Sequence, residues 1–570
     1  MLSNYSLNIA LKMNQPYKRQ STSSSFSEPP DITEEPEGVK IPYLTYDEHL
    51  EKIISKGDTG LNRNHILIMA LIFLVKFIAM LIQNNVGFIK MVPSFKCTNQ
   101  TATFDCETED FCNSNSQVQS YMIDWTSDYS IHNLITKYSL YCTSKIPIMA
   151  IGTSIKVGFL AYLLFCSHLL DTQGRLRSFK FAVVIQMLLV ACILLCPGGT
   201  QNDMNTWKAG EAIEDASIYQ YLMYILLALF STVYHLTQYS GWIYFLEIMP
   251  ERHHSVTIIV SNIGKACCII FGSVFFLGIS RQQGELFGLE LGLLGVIFLL
   301  VIGRGLPESP KYFHMQGNYN KARESLGKLN TIFNSTTQTP SITFIEEHHK
   351  SSHPNQYSSD DEEVKPHAVF DRSNFLKALK EDSQFRLNFI SIIVCNTGSS
   401  FILDLFYFML PSLEGDIYLN AFMVGSFQIV AFAVSGVLIA KLGITRQLMA
   451  CYAFPMVASI MHMGWSVMGG GEKSDMTEAI SMSMILFGFC ANYNSTLYAA
   501  YACSPAPLAP TFFVLVNFFK IIFVSITPII AEATKEGAES QWFIMMFFAI
   551  LSFTCTIFSS LIKVTKEQQS

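Results

Sequence analysis

Twelve apolar runs, each near 20 residues, constrain this chain more than any other feature, because a helix of that length crosses the roughly 30 Å hydrocarbon layer of a bilayer. They fall at 65–88, 146–167, 179–197, 218–246, 254–279 and 286–303, then at 386–410, 417–440, 447–468, 479–501, 508–531 and 541–563. A hydrophilic segment, 304–385, separates the sixth from the seventh. The pattern predicts an all-α membrane protein of 12 transmembrane helices in two pseudo-symmetric six-helix bundles, 63–303 and 386–563. Composition agrees: half of the 570 residues are apolar and 15% are charged, against about 25% charged in soluble proteins.

The remaining charge orients the runs. Arg175, Arg177 and Lys180 follow the second run and Arg252 follows the fourth, so these loops, segment 304–385, a disordered N-terminus (1–62) and the tail 564–570 are expected in the cytoplasm. The first 60 residues are polar and Ser-rich with no signal-peptide core, so the first run is expected to insert as its own anchor. Loop 89–145 then lies on the oxidising side. It holds four of the 14 cysteines, Cys97, Cys106, Cys112 and Cys142, which read as a disulfide framework of open pairing. The sequon at Asn99 makes that residue a glycosylation candidate. Sequons at Asn334 and Asn494 fall in the cytoplasm or within a helix and are discounted. The net charge of −7 argues against nucleic acid as a partner. Irregular histidines in the acidic stretch 348–363 lack cysteine partners and read as a solvated linker, so no metal is expected.

Several short motifs are more specific. Ser167-His-Leu-Leu-Asp171-Thr-Gln-Gly174-Arg175-Leu-Arg177 resembles the loop joining helices two and three of the major facilitator superfamily. Pro307-Glu308-Ser309-Pro310-Lys311-Tyr312 is similar to the signature after helix six of organic-ion and sugar transporters. Glu247 with Pro250 resembles the Glu-x-x-Pro ending helix four, and Gly415-Asp416-Ile417-Tyr418-Leu419-Asn420 resembles a stretch of organic cation and anion transporters. The Cys-rich first loop also suits that family. The resemblance covers 65–563 and implies a major facilitator fold working by alternating access. It implies a cytoplasmic gate of Asp171, Gly174, Arg175, Arg177, Glu247, Arg252 and Glu308. The second half departs from the pattern: Ala440-Lys441-Leu442-Gly443-Ile444-Thr445-Arg446 keeps only the glycine, and Ala502-Cys503-Ser504-Pro505 lacks the expected carboxylate.

Ionisable side chains inside a bilayer are costly and mark function by default. The candidates are Lys76, Lys156, His235, Lys265 and Lys520, with Asp404 as the one clear acid, and His462 in a peripheral helix as a structural residue. Asp404 is expected to neutralise Lys520 or Lys265, or else to bind a proton or cation. Lys76 and Lys156 have snorkelling or structural pairing as alternatives, and His235 the role of a hydrogen-bonded interhelical histidine. By the resemblance, Gln428 stands where organic cation transporters commonly have glutamate, and Lys520 lies close to a position that is basic in anion carriers. An excess of basic groups around one cavity favours anions.

No phosphate-binding loop, zinc-protease motif or nucleophile elbow is present, so neither an enzyme nor a cofactor is expected. The expectation is a plasma-membrane secondary transporter of a small organic anion or zwitterion, with the lipid bilayer and a coupled ion or proton as further partners. A transport-inactive receptor or scaffold, and a proton-coupled carrier of sugars or other neutral solutes, are the alternatives.

Overall fold

A computed structural model describes residues 46–55, 62–99, 102–112, 118–143, 145–198, 207–208, 218–334, 344, 372–410, 416–468, 475–504, 509–533 and 538–563. The first 45 residues, Thr101, the stretch 348–363, Gly415, the tail 564–570 and the side chain of Asp171 lie outside them.

Each apolar run is a helix. The first six spans are Arg63–Asn84, Lys145–Ala161, Arg175–Leu195, Ile218–Glu247, His254–Gly278 and Gln283–Gly303. The second six are Ser383–Met409, Ile417–Leu442, Ile444–Met468, Asp475–Ala502, Ala509–Val524 continued by Thr527–Ala533, and Ala538–Leu561. Among the described residues, nine are long and apolar enough to cross a membrane by length and composition; spans four, nine and ten do not meet that measure. Span two widens into a π-helical turn at Tyr162–Cys166, a local distortion that often marks functional helices. Span eleven breaks before Pro528, which cannot donate a helical hydrogen bond.

The chain divides into two compact units. The larger comprises Met69–Leu246, His254–Gly305 and Ala368–Ser570. Within it, span five packs along span eight. A Cβ on Gly425 would come within 2.7 Å of Ile269 and 2.4 Å of Ile270, so only glycine permits this approach. Lys156 of span two meets Asp404 of span seven, and Asn262 of span five donates to Asn494 of span ten at 2.7 Å, which in turn donates to Ser435 of span eight at 2.9 Å. Polar bonds inside apolar surroundings fix helix register.

The loop after span one is not featureless. β1 (Phe95–Thr98), β2 (Thr103–Cys106), β3 (Ser120–Ile123) and β4 (Trp207–Lys208) form an antiparallel sheet in the order β2-β1-β3-β4. Phe95, Phe111, Tyr121 and Tyr141 fill its core, with Phe111 stacked on Tyr121 at 4.0 Å. Disulfides join Cys97 to Cys106 and Cys112 to Cys142, resolving the pairing of the four predicted cysteines. Asn99 follows β1, its N–H donating to the Ala102 carbonyl at 3.0 Å.

The smaller unit comprises Met1–Ile68, Glu247–His253 and Leu306–His367. Its amphipathic helix Tyr46–Ser55 buries His49, Leu50, Ile53 and Ile54. The short helix Pro310–Met315 starts as its sequence dictates, with Pro310 at the first position and the Ser309 hydroxyl accepting from Tyr312 N.

Candidate functional site

Four lysines from four spans are buried in the larger unit: Lys76, Lys156, Lys265 and Lys520. Asp404 is the carboxylate among them. Its Oδ2 lies 2.5 Å from Lys156 Nζ, with side-chain exposures of 15% and 4%, so the pair is largely withdrawn from solvent. The expected neutralisation of Lys520 or Lys265 is therefore not a contact; Asp404 acts on both only through space. Span two brings Lys156 to this height and the last turns of span seven bring Asp404, so the pair bridges the first six spans to the second six.

Lys265 is held by aromatic faces. Its Nζ lies 4.6 Å from the Tyr493 ring centre and 5.6 Å from that of Tyr407, a geometry in which ring quadrupoles attract the ammonium. Tyr407 donates to Gln428 Oε1 at 2.9 Å, and Gln428 Nε2 is buried with no hydrogen-bond partner among the described residues. Lys520 sits over Phe159 at 5.2 Å. Phe159 in turn lies flat on His235, with ring centres 3.9 Å apart and planes 5° from parallel. Both His235 nitrogens are engaged, Nδ1 with the Ser231 carbonyl at 2.7 Å and Nε2 with the Tyr234 hydroxyl at 2.8 Å. Tyr162 and Tyr239 extend this aromatic wall, 6° from parallel. Lys76 feels Lys265 and Lys520 electrostatically and forms no ion pair among the described residues. With all groups ionised, four lysines and Asp404 carry a net charge of +3.

A second intramembrane acid escaped the sequence reading. Glu290 of span six is fully buried and accepts from Gln186 Nε2 at 2.9 Å. Asp404 is thus not the one acid; Glu290, flanked by leucines and glycines, was legible as a charged residue within 286–303. Its contact is with a glutamine of span three and not with a lysine. The aromatic partners Tyr407, Tyr493 and Phe159 carried no distinguishing signal among 44 phenylalanines and 24 tyrosines. His462 is half-buried in span nine.

The residues predicted as a cytoplasmic gate fall into both units. In the larger, Gly174 turns the chain at φ 101°, a left-handed conformation that favours glycine. Arg175 beside it is buried and donates to the Leu170 carbonyl at 2.8 Å, whereas Arg177 is exposed. In the smaller, Glu247 accepts from the Ser309 hydroxyl at 2.5 Å, and Glu308 accepts from the Ser309 N–H at 3.0 Å. Arg252 pairs with Glu51 at 2.7 Å and donates to Ser55 at 3.0 Å. Lys311 lies 3.5 Å from Glu251. Burial pushes the Asp47 carboxyl up to about 6, Lys311 pulls it down, and the charge of Glu251 raises it.

Residues 97–567 match the family described as sugar (and other) transporter. The chain belongs to that family. Its fold is that of solved major facilitator transporters. The xylose transporter XylE from E. coli, in a partially occluded inward-open conformation, superposes with a TM-score of 0.55 at 12% identity, over 88% of this chain and 97% of that one. The proton:xylose symporter XylE bound to 6-bromo-6-deoxy-D-glucose gives 0.54 at 11%, over 90% and 95%. A peptide transporter, POT, gives 0.51 at 10%, over 90% and 97%. No curated protein matches the chain significantly. Family membership makes this multi-pass membrane protein a transporter and not an enzyme.

Proposed function

We propose that this transporter moves a small organic anion or zwitterion by alternating access, as a member of the organic cation, anion and zwitterion branch of its superfamily in the plasma membrane. One observation carries the reading: Lys76, Lys265 and Lys520 are buried, and among the described residues no carboxylate is in ion-pair contact with them. Uncompensated charge of one sign inside a membrane is costly, and an anion entering among the three lysines relieves that cost. The near-parallel rings of Phe159, His235, Tyr162 and Tyr239 offer a flat ligand a stacking surface. Lys520, Lys265, Lys156, Lys76, Asp404, Gln428 and His235 line the path in this reading. Asp171, Gly174, Arg175, Arg177, Glu247, Arg252 and Glu308 serve as the cytoplasmic gate, with the Cys-rich sheet and a glycosylated Asn99 outside. Uptake by reconstituted protein from a mixed panel of anions, cations, zwitterions and sugars, read by mass spectrometry, tests it.

A proton-coupled sugar carrier is the second reading, favoured by the family match and by the proton:xylose symporter among the structural neighbours. Asp404 is then the proton site, and protonation would release Lys156. Uptake in that case follows the pH gradient and survives neutralisation of Lys520.

A further inference from the structure

The loop between β3 and span two is bolted to the linker between spans five and six. Arg281 forms an ion pair with Asp128 and donates to the Ser127 carbonyl at 3.0 Å. His132 N donates to the Arg281 carbonyl and Gln283 N to the His132 carbonyl, each at 2.9 Å. Trp125 lies on the His132 ring at 3.8 Å. The Asn133 amide donates to the carbonyls of Phe88 and Met91, at 3.0 and 2.7 Å, just beyond span one. Every one of these partners belongs to the first six spans or their loops, so loop 124–133 travels with that half.

Tyr418 reaches the same loop from the second half. It stands in the first turn of span eight, where Asp416 accepts from its N–H at 2.7 Å and fixes the helix start. Its hydroxyl donates to the Asp128 carbonyl at 2.6 Å, and its ring stacks on Phe88 at 5.6 Å. Its own carbonyl accepts from the Ser273 hydroxyl of span five at 2.7 Å. Tyr418 is 2% exposed. One side chain at the edge of the second half therefore touches the Cys-rich loop, the end of span one and, through its backbone, span five.

We propose that Tyr418 is the pin of a gate on the Cys-rich face and that loop 124–133 is the leaf it holds shut. Opening that face separates the ends of spans one and five from those of spans seven and eight. The hydroxyl bond to Asp128 spans the two moving bodies and has to break, whereas the Arg281 clamp lies within one body and stays whole. The gate then closes by docking a folded loop as well as by helix contact.

The test needs no knowledge of the solute. Leu410, 1% exposed at the end of span seven, is replaced by Leu410→Cys in the full-length protein in liposomes. Modification of the new thiol by a membrane-impermeant methanethiosulfonate is followed by peptide mass spectrometry, with buried Cys555 as the internal check that the chain stays folded. Tyr418→Phe removes the hydroxyl alone and is expected to raise the modification rate roughly two- to tenfold, the range for loss of one hydrogen bond. Arg281→Ala, which frees the leaf, raises it in the same direction and keeps the test intact if Tyr418→Phe folds poorly. An unchanged rate in both variants overturns the proposal.

Discussion

Lys156 and Asp404 form a 2.5 Å ion pair between spans two and seven, largely shielded from solvent. Removing one partner of such a pair strands the other charge and typically costs about 3–5 kcal/mol, whereas replacing both costs much less. Asp404→Ala is accordingly expected to lower the melting temperature more than the double replacement Lys156→Ala with Asp404→Ala. A double-mutant cycle by thermal unfolding in detergent, with Lys156→Ala as the other single variant, checks this; a loss in the double variant equal to the sum of the two single losses would show the pair to be energetically silent.

Lys265 tests the aromatic clamp. The attraction depends on the ring face and not on the hydroxyl, so Tyr493→Phe should leave thermal stability within error. Tyr493→Leu should lower it by about 0.5–2 kcal/mol. Equal effects of the two substitutions would refute a cation–ring contact.

The two disulfides close loops of different size, with sequence separations of 9 for Cys97 and Cys106 and 30 for Cys112 and Cys142. Chain entropy makes the longer loop worth about 1 kcal/mol more. Paired Cys→Ser replacement of Cys112 and Cys142 should therefore destabilise the sheet more than replacement of Cys97 and Cys106, as read by protease susceptibility of this loop. The reverse order would mean that local packing outweighs loop closure.

In the smaller unit, Asp47 is pushed up to about 6 by burial from its usual value near 3.8. Between those values the folded state holds a proton that the unfolded state has released. Stability therefore falls as pH rises from about 4 to 6. Asp47→Asn should flatten this part of the stability profile, measured by thermal unfolding across pH 4 to 7; an unchanged slope contradicts the assignment.

The helices were legible because bilayer thickness imposes one length on every apolar run, and the fold of solved major facilitator transporters agrees. The sheet after span one was not: β1 and β2 are four residues each and β4 arrives from a different loop, so no local periodicity announced it. The lysines were legible one by one, since each is a charge in an apolar run. Their pairing was not, because Lys156 and Asp404 are 248 positions apart and only packing decides which lysine the carboxylate meets. Glu290 is a charge inside an apolar run just as Asp404 is. Tyr418 belonged to a recognised motif, yet its bond to Asp128 joins a helix start to a loop 290 residues away.

Lys76, Lys265 and Lys520, buried and without an ion pair among the described residues, are proposed to select an anion. This selection is tested most directly by uptake into proteoliposomes of a mixed panel of anions, cations, zwitterions and sugars, comparing the unaltered protein with Lys520→Ala and Lys265→Ala. At least one anion or zwitterion is expected to be taken up, with uptake reduced tenfold or more in both variants and their melting temperatures preserved. Uptake confined to neutral sugars or cations, and indifferent to both substitutions, would contradict that selection.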